Sequence, residues 1–174
     1  MAIRNNVNVE AVQRTVEGIQ ADLSKGKRTN KIEGVWNLAE GMPQFSAEIT
    51  IEGGKVTLEA DQPTFLGGGG TRPGPMHYAL FGLASCFTAT FVTIASTQGL
   101  ALEEVRTSAG FDINFAKAFG VADLPIAEEV RVTLAVKSEA PRGKIEEVLR
   151  LAEERCPVSY CLTKPIRLSA RLAE

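Results

Sequence analysis

The order of elements written into this sequence predicts an antiparallel-rich α+β fold and not a doubly wound parallel sheet. Three observations lead there. Helical periodicity is confined to three separated stretches, near residues 8–24, 75–98 and 142–155. Period-two alternation fills the intervals between them in runs of more than one strand. The tight turn "EGGK" joins two of those strands directly, where a wound sheet would alternate one strand with one helix.

Each element has its own warrant. Val12, Val16, Ile19 and Leu23 recur at helical spacing with Arg14, Glu17 and Gln20 between them, and the polar run "SKGKRTN" breaks that helix. Three strands follow, marked by Trp36 and Leu38, by Phe45, Ala47, Ile49 and Ile51, and by Val56, Leu58 and Ala60. The loop "DQPTFLGGGGTRPGP" leads into a central helix with Pro75 in its first turn, where a missing N–H costs nothing. Gly99 is its natural terminator. Alternation returns over Val105–Phe115 and Val130–Val136, joined by "KAFGVADLP". A second helix is expected from Arg142 to Arg155, and a last strand through Ile166, Leu168, Ala170 and Leu172.

With 174 residues, 44% hydrophobic and 23% charged, the chain has the size and balance of one globular domain, spanning residues 1–174. A net charge of -2 argues against a nucleic-acid partner, and "KGKR" reads as solvated turn residues. No Asp, Glu, Lys or Arg lies between Arg72 and Glu103, a stretch long enough to cross a bilayer. Its Ser and Thr content and its place between patterned segments favour a buried core helix and no membrane span. The start "MAIRNNVNVE" lacks the apolar run of a signal peptide, so the expected compartment is cytoplasmic and reducing, with cysteines free, redox-active or metal-bound.

There are three cysteines. Cys86 sits mid-helix in the uncharged stretch. Ile145, Val148, Leu149 and Ala152 form one stripe of the second helix, and Cys156 falls about 20° off that line, pointing inward. Pro157 disfavours helical geometry at Cys156; if a new turn starts there, Cys156 caps it, and a thiol so placed has its thiolate stabilised. Cys161 does not read as the partner of either. On spacing alone, two inert core cysteines and a redox pair both remain open. With a single histidine and no Cys-x-x-Cys, no metal site or cofactor is expected. The run Gly67–Gly70 lacks the Lys-Ser or Lys-Thr of a phosphate loop and reads as a hinge or a close backbone approach.

Two stretches carry a family resemblance. "DQPTFLGGGGTRPGPMHYALFGLASCFTATFVTIASTQGL" resembles the signature of the OsmC/Ohr family, the osmotically inducible and organic hydroperoxide resistance proteins, with its glycine loop, proline and cysteine-bearing helix. "AEERCPVSYCL" resembles the second signature, a Cys-Pro-Val ending the later helix. The resemblance covers about residues 28–173 and leaves the helix at about 8–24 as an addition. It implies a two-layer fold with antiparallel-rich sheets around two central helices, and an intertwined homodimer. It implies an oxidoreductase of the stress response that reduces hydroperoxides, with Cys86 as peroxidatic cysteine, Cys156 as resolving cysteine and a dithiol reductant for turnover.

The chain departs from that pattern at the activating groups. The hydroperoxide-resistance branch carries a Glu where Met76 stands here, and other branches carry it where His77 stands. Arg28 is the candidate for the family's activating Arg, with Lys31 behind it, and His77 is a candidate accessory residue. Along one helix His77 lies about 13.5 Å from Cys86 and half a turn round, so it would act only across an interface. The alternative function is a non-catalytic dimer that binds an apolar ligand or partner and keeps the cysteines for packing or redox sensing.

Overall fold

In a computed structural model of the chain, residues 2–173 are described. They form four α-helices and three small antiparallel sheets, a mixed α+β architecture as the element order predicts. The chain divides into two compact units, residues 18–81 and the remainder.

Residues 18–81 hold the end of α1 (Val9–Ala21) and one three-stranded sheet in the order β3-β4-β5. Its strands are β3 (Gly34–Trp36), β4 (Phe45–Ile51) and β5 (Gly54–Ala60). In the β4–β5 hairpin Ala47 pairs with Leu58 and Phe45 with Ala60, so one face is apolar throughout; Ala47 and Ala60 are buried on it. Gly34 is glycine for lack of room, since a Cβ there would stand 2.2 Å from the Phe45 ring. The sequence places the β4–β5 hairpin and its turn correctly; β3 ends at Trp36, and Leu38, expected on the same face, lies outside the strand and is exposed.

The other unit begins with a hairpin that the sequence did not announce, β1 (Ile3–Arg4) against β2 (Val7–Asn8). Its two-residue turn, Asn5-Asn6, has φ of 49° and 64° at successive positions. Asparagine tolerates that region better than other side chains, which is why it serves in such hairpin turns. Asn5 then clasps the end of the central helix: its amide donates to Ser96 Oγ (3.0 Å) and the Leu100 carbonyl (2.9 Å), and its Oδ1 accepts from Leu102 N–H (2.9 Å).

The central helix α2 runs Pro75–Thr97. Leu83, Phe87, Phe91 and Ala95 follow one another at four-residue spacing and are all buried. β6 (Glu104–Gly110) and β7 (Arg131–Lys137) form a hairpin, and α3 (Arg142–Arg155) lays its stripe on the same core. Phe87, Phe91, Ala95, Val148, Ala152 and Cys156 make that core, with Cys86, Val105, Val132, Leu134 and Val158 packed around it.

Two expected strands differ. The one through Phe115 stops at Gly110, because its ladder partner begins at Arg131 and offers nothing opposite Phe111, Ile113 and Phe115. Residues 166–172 alternate as a strand should but form no ladder among the described residues; Ile166, Leu168 and Leu172 are 55%, 91% and 97% exposed. Alternation marks a segment fit for a sheet, and an edge to pair with is a separate requirement. α1 is amphipathic, yet none of its residues is buried. α2 is long and apolar enough to cross a membrane, although only 28% of its most apolar window is buried.

Candidate functional site

Two thiols meet where α2 passes the end of α3. Cys86, on α2, is half-buried; Cys156 is 1% exposed. The chain folds this way at Cys156 because Pro157 forbids the helix to continue. Cys156 keeps the last bond of α3, its N–H donating to the Ala152 carbonyl, but turns to extended geometry (φ -69°, ψ 118°). A second short helix, α4 (Pro157–Thr163), starts at once with proline at its first position and Cys156 as its N-cap. Ser159 N–H donates to Cys156 Sγ at 3.5 Å.

The two thiols are hydrogen-bonding neighbours, and their surroundings push them apart in acidity. Burial pushes Cys86 above the ordinary thiol range; the Val158 backbone N–H opposes this, and the Cys156 and Cys161 thiols add to the rise. Burial also works to raise Cys156, but the Ser159 hydroxyl, the Ser159 N–H, the Cys86 thiol and the Val158 N–H together outweigh it and hold Cys156 below that range. When the pair loses one proton, the charge therefore settles on Cys156 and Cys86 S–H donates to it. Cys86 packs against the buried cluster that holds Cys156. Both cysteines are reduced here, and Cys161 is exposed on α4.

The accessory candidates are engaged locally. Arg28 is exposed and folds back on its own turn, its guanidinium donating to the Lys25 (2.6 Å) and Lys27 (2.8 Å) carbonyls. Lys31 pairs with Glu33. His77 Nδ1 accepts from Gly74 N–H at 3.1 Å, the reach-back to the cap that Glu or Gln makes at the third position of a capping box. Met76 is 42% exposed.

Sequence reasoning missed three contributors. Ser159 and Val158 act on the thiols through positions two and three of α4; the signal was the spacing Cys-Pro-Val-Ser, a cap followed three residues later by a small polar residue. Asp61, 2% exposed, was passed over at the head of the glycine loop. Its Oδ2 accepts from Thr71 N–H (2.9 Å) and hydroxyl (2.8 Å), and its Oδ1 from Gly69 N–H (3.3 Å). The Thr71 N–H above all, then the Thr71 hydroxyl, hold this carboxyl below the usual range. The loop is thus a wrapped carboxylate. It is closely packed at Gly68, where a Cβ would fall 2.0 Å from the Gln62 carbonyl oxygen. Beside it Arg72 pairs with Glu59 at 2.7 Å, and Tyr78 OH donates to the Glu59 carbonyl at 2.6 Å. Among the described residues no group of three or more His, Cys, Asp or Glu side chains could hold a metal ion.

Comparison with known proteins agrees with this architecture. The family model for OsmC-like protein matches residues 67–171, which includes the glycine loop, all of α2 and both signature cysteines. An OsmC-like protein from Mycoplasma pneumoniae superposes with a TM-score of 0.57 at 19% identity, over 79% of this chain and 89% of that one. An organic hydroperoxide resistance protein OsmC from Legionella pneumophila gives 0.54 at 19% identity, over 79% and 93%. An organic hydroperoxide resistance protein from Elizabethkingia anophelis, with thiocyanate bound, gives 0.56 at 16% identity, over 79% and 91%. No curated protein matches the chain. The family match covers more than half the sequence, and the chain belongs to the OsmC-like protein family.

Proposed function

We propose that this protein is a thiol-dependent hydroperoxide reductase. The observation that carries the reading is the placement of the cysteines: Cys86 half-buried and reachable, Cys156 buried against it as the stabilised thiolate. Cys86 attacks the O–O bond, an alcohol or water leaves, and Cys86 becomes a sulfenic acid. The Cys156 thiolate, already hydrogen-bonded to Cys86, displaces hydroxide from that sulfur to give the disulfide, and the hydroxide takes a proton from solvent. A dithiol restores both thiols. Because burial raises Cys86, attack should be slow near neutrality and should quicken as pH rises and this thiol ionises.

We further propose that it works as a homodimer in the cytoplasm, with 1–174 as one domain. Large apolar side chains are left open on several elements, among them Val35 (65%), Trp36 (52%) and Phe81 (71%). The alternating segment 166–172 is also without a strand partner among the described residues.

The test is hydroperoxide loss with dithiothreitol across pH 6 to 9 for the wild type, Cys86→Ser and Cys156→Ser. Cys86→Ser should abolish consumption; Cys156→Ser, made in a Cys161→Ser background so that no second thiol can reach Cys86, should permit one oxidation, block turnover and leave Cys86 open to over-oxidation. Consumption by Cys86→Ser at the wild-type rate would end the enzyme reading. A second reading, a non-catalytic binder of apolar ligands, has its own observation in residues 18–81. A cavity of about 390 Å³ there is lined by Ile32, Trp36, Phe45, Leu58, Pro75 and Tyr78. It takes precedence if the wild type consumes no peroxide.

A further inference from the structure

The third cysteine stands outside the pair just described, and exposure grades steadily across the three thiols. Cys156 is 1% exposed, Cys86 is half-buried and Cys161 is exposed. A Cys86–Cys156 disulfide would therefore have one sulfur sealed from solvent and the other only partly open. A bulky reductant is poorly served by such a bond. Cys161 rides on α4, whose Val158 packs on the core around Cys86 and directs its N–H at that thiol. Three residues apart on a helix, Val158 and Cys161 occupy neighbouring positions on one face, so Cys161 stands one turn outward over Cys86.

We propose that Cys161 is the exit thiol of a three-cysteine relay, taking the disulfide over from the Cys86–Cys156 pair and presenting it at the surface to an external dithiol. The origin of the disulfide rests on the hydroperoxide reductase reading; the exchange itself does not. A charge on Cys161 is felt at Cys86, which agrees with the two sulfurs being near one another.

The exchange balances without any added oxidant. Cys161 loses its proton to solvent, and its thiolate attacks Cys86 Sγ. The Cys86–Cys156 bond breaks, and the electron pair leaves on Cys156. One disulfide is lost and one is formed. Direction follows from the leaving group: the thiol of lower pKa leaves faster, and Cys156 is the one its surroundings stabilise as thiolate. The external dithiol then attacks the exposed Cys161 Sγ, Cys86 departs as thiolate and takes up a proton, and the second thiol of the reductant closes its own disulfide. Two electrons have passed from reductant to protein. Joining Cys86 to Cys161 requires Cα atoms within about 7 Å. None of the seven residues of α4 is fully buried, so its last turn, beyond Val158, is the part that would move to meet that.

The test uses the full chain and diamide, a reagent that forms disulfides by accepting two electrons and two protons, so that peroxide reactivity is not needed. Wild type, Cys156→Ser and Cys161→Ser are oxidised with one equivalent, quenched with N-ethylmaleimide and mapped by mass spectrometry. Chymotryptic cleavage after Tyr160 separates Cys156 from Cys161. The relay expects both 86–156 and 86–161 linkages in the wild type and 86–161 as the internal disulfide of Cys156→Ser. It expects oxidised Cys161→Ser to be re-reduced by thioredoxin, a bulky dithiol, about tenfold more slowly than the wild type. Rates with dithiothreitol, which is small enough to approach Cys86, should differ much less. Absence of an 86–161 linkage from both proteins overturns the relay, as does equal re-reduction by thioredoxin. If diamide gives the expected linkages and peroxide oxidises nothing, the reductase reading falls and the relay stands.

Discussion

Val148→Ala is the perturbation whose cost can be worked out most directly. Val148 lies on α3 with no exposed surface, in the cluster that also holds Phe91 and Cys156. The substitution deletes two methyl groups, worth about 1.6 kcal/mol of transfer free energy. If the surroundings do not collapse, a void of about 50 Å³ adds about 1.2 kcal/mol at 24 cal/mol per Å³. The expected loss is thus between about 2 and 3 kcal/mol. A chain of 174 residues has an unfolding entropy of about 0.37 kcal/mol/K at the usual value per residue, so Tm should fall by about 7 °C. The measurement is a far-UV circular dichroism melt at fixed protein concentration. Leu149→Ala is the control, because Leu149 belongs to the same apolar stripe but is 39% exposed; its cost should be about 1 kcal/mol or less. A Val148→Ala shift no larger than that of Leu149→Ala would refute this account of what holds α3 in place, and with it the support for the inward setting of Cys156.

Two other outcomes follow from the same features. Ser159→Ala removes the strongest of the hydrogen bonds that favour the Cys156 thiolate, so in a Cys161→Ser background the 240 nm thiolate absorbance should rise at higher pH than in the parent; an unchanged titration would remove Ser159 from the site. The sign for stability is that of a depressed acid: the contribution of Cys156 is present above the unfolded thiol value of about 8.5 and is lost as pH falls through its lowered folded value, and Ser159→Ala should shrink it. If the protein is the proposed homodimer, it should sediment as a dimer at micromolar concentration, with an interface of about 2,000 Å² or more. A monomer at that concentration would contradict it.

What could be read from the sequence was whatever depends on neighbours along the chain. The β4–β5 hairpin, the extent of α2 and the break at Cys156-Pro157 are local matters of periodicity, turn chemistry and proline geometry, and all three are present. The inward setting of Cys156 was legible too, as an angle on a helix. What was not legible depends on distant partners. Residues 166–172 carry the alternation of a strand, but a ladder needs an edge that no local pattern names. Asp61 looks like an ordinary loop acid until Gly69 and Thr71 close over it. Arg28 and His77 each hydrogen-bond within their own turn, a matter of backbone geometry that residue type alone does not announce. The stabilised thiolate at Cys156 was legible as the consequence of a turn starting at Pro157; that Ser159 supplies the bonds was not.

The Asn5 clasp bears on how this protein comes into being. Its bonds to Ser96, Leu100 and Leu102 span 91, 95 and 97 positions of sequence. None of them can form on a ribosome until nearly a hundred further residues have been added. At about 5–20 residues per second this is a wait of roughly 5 to 20 seconds. The hairpin that carries Asn5 has only two residues in each strand, too few to persist alone in water. The hairpin therefore locks only after α2 has been made, by closing a loop of more than ninety residues, and a change at Asn5 should slow refolding as well as loosen the folded state.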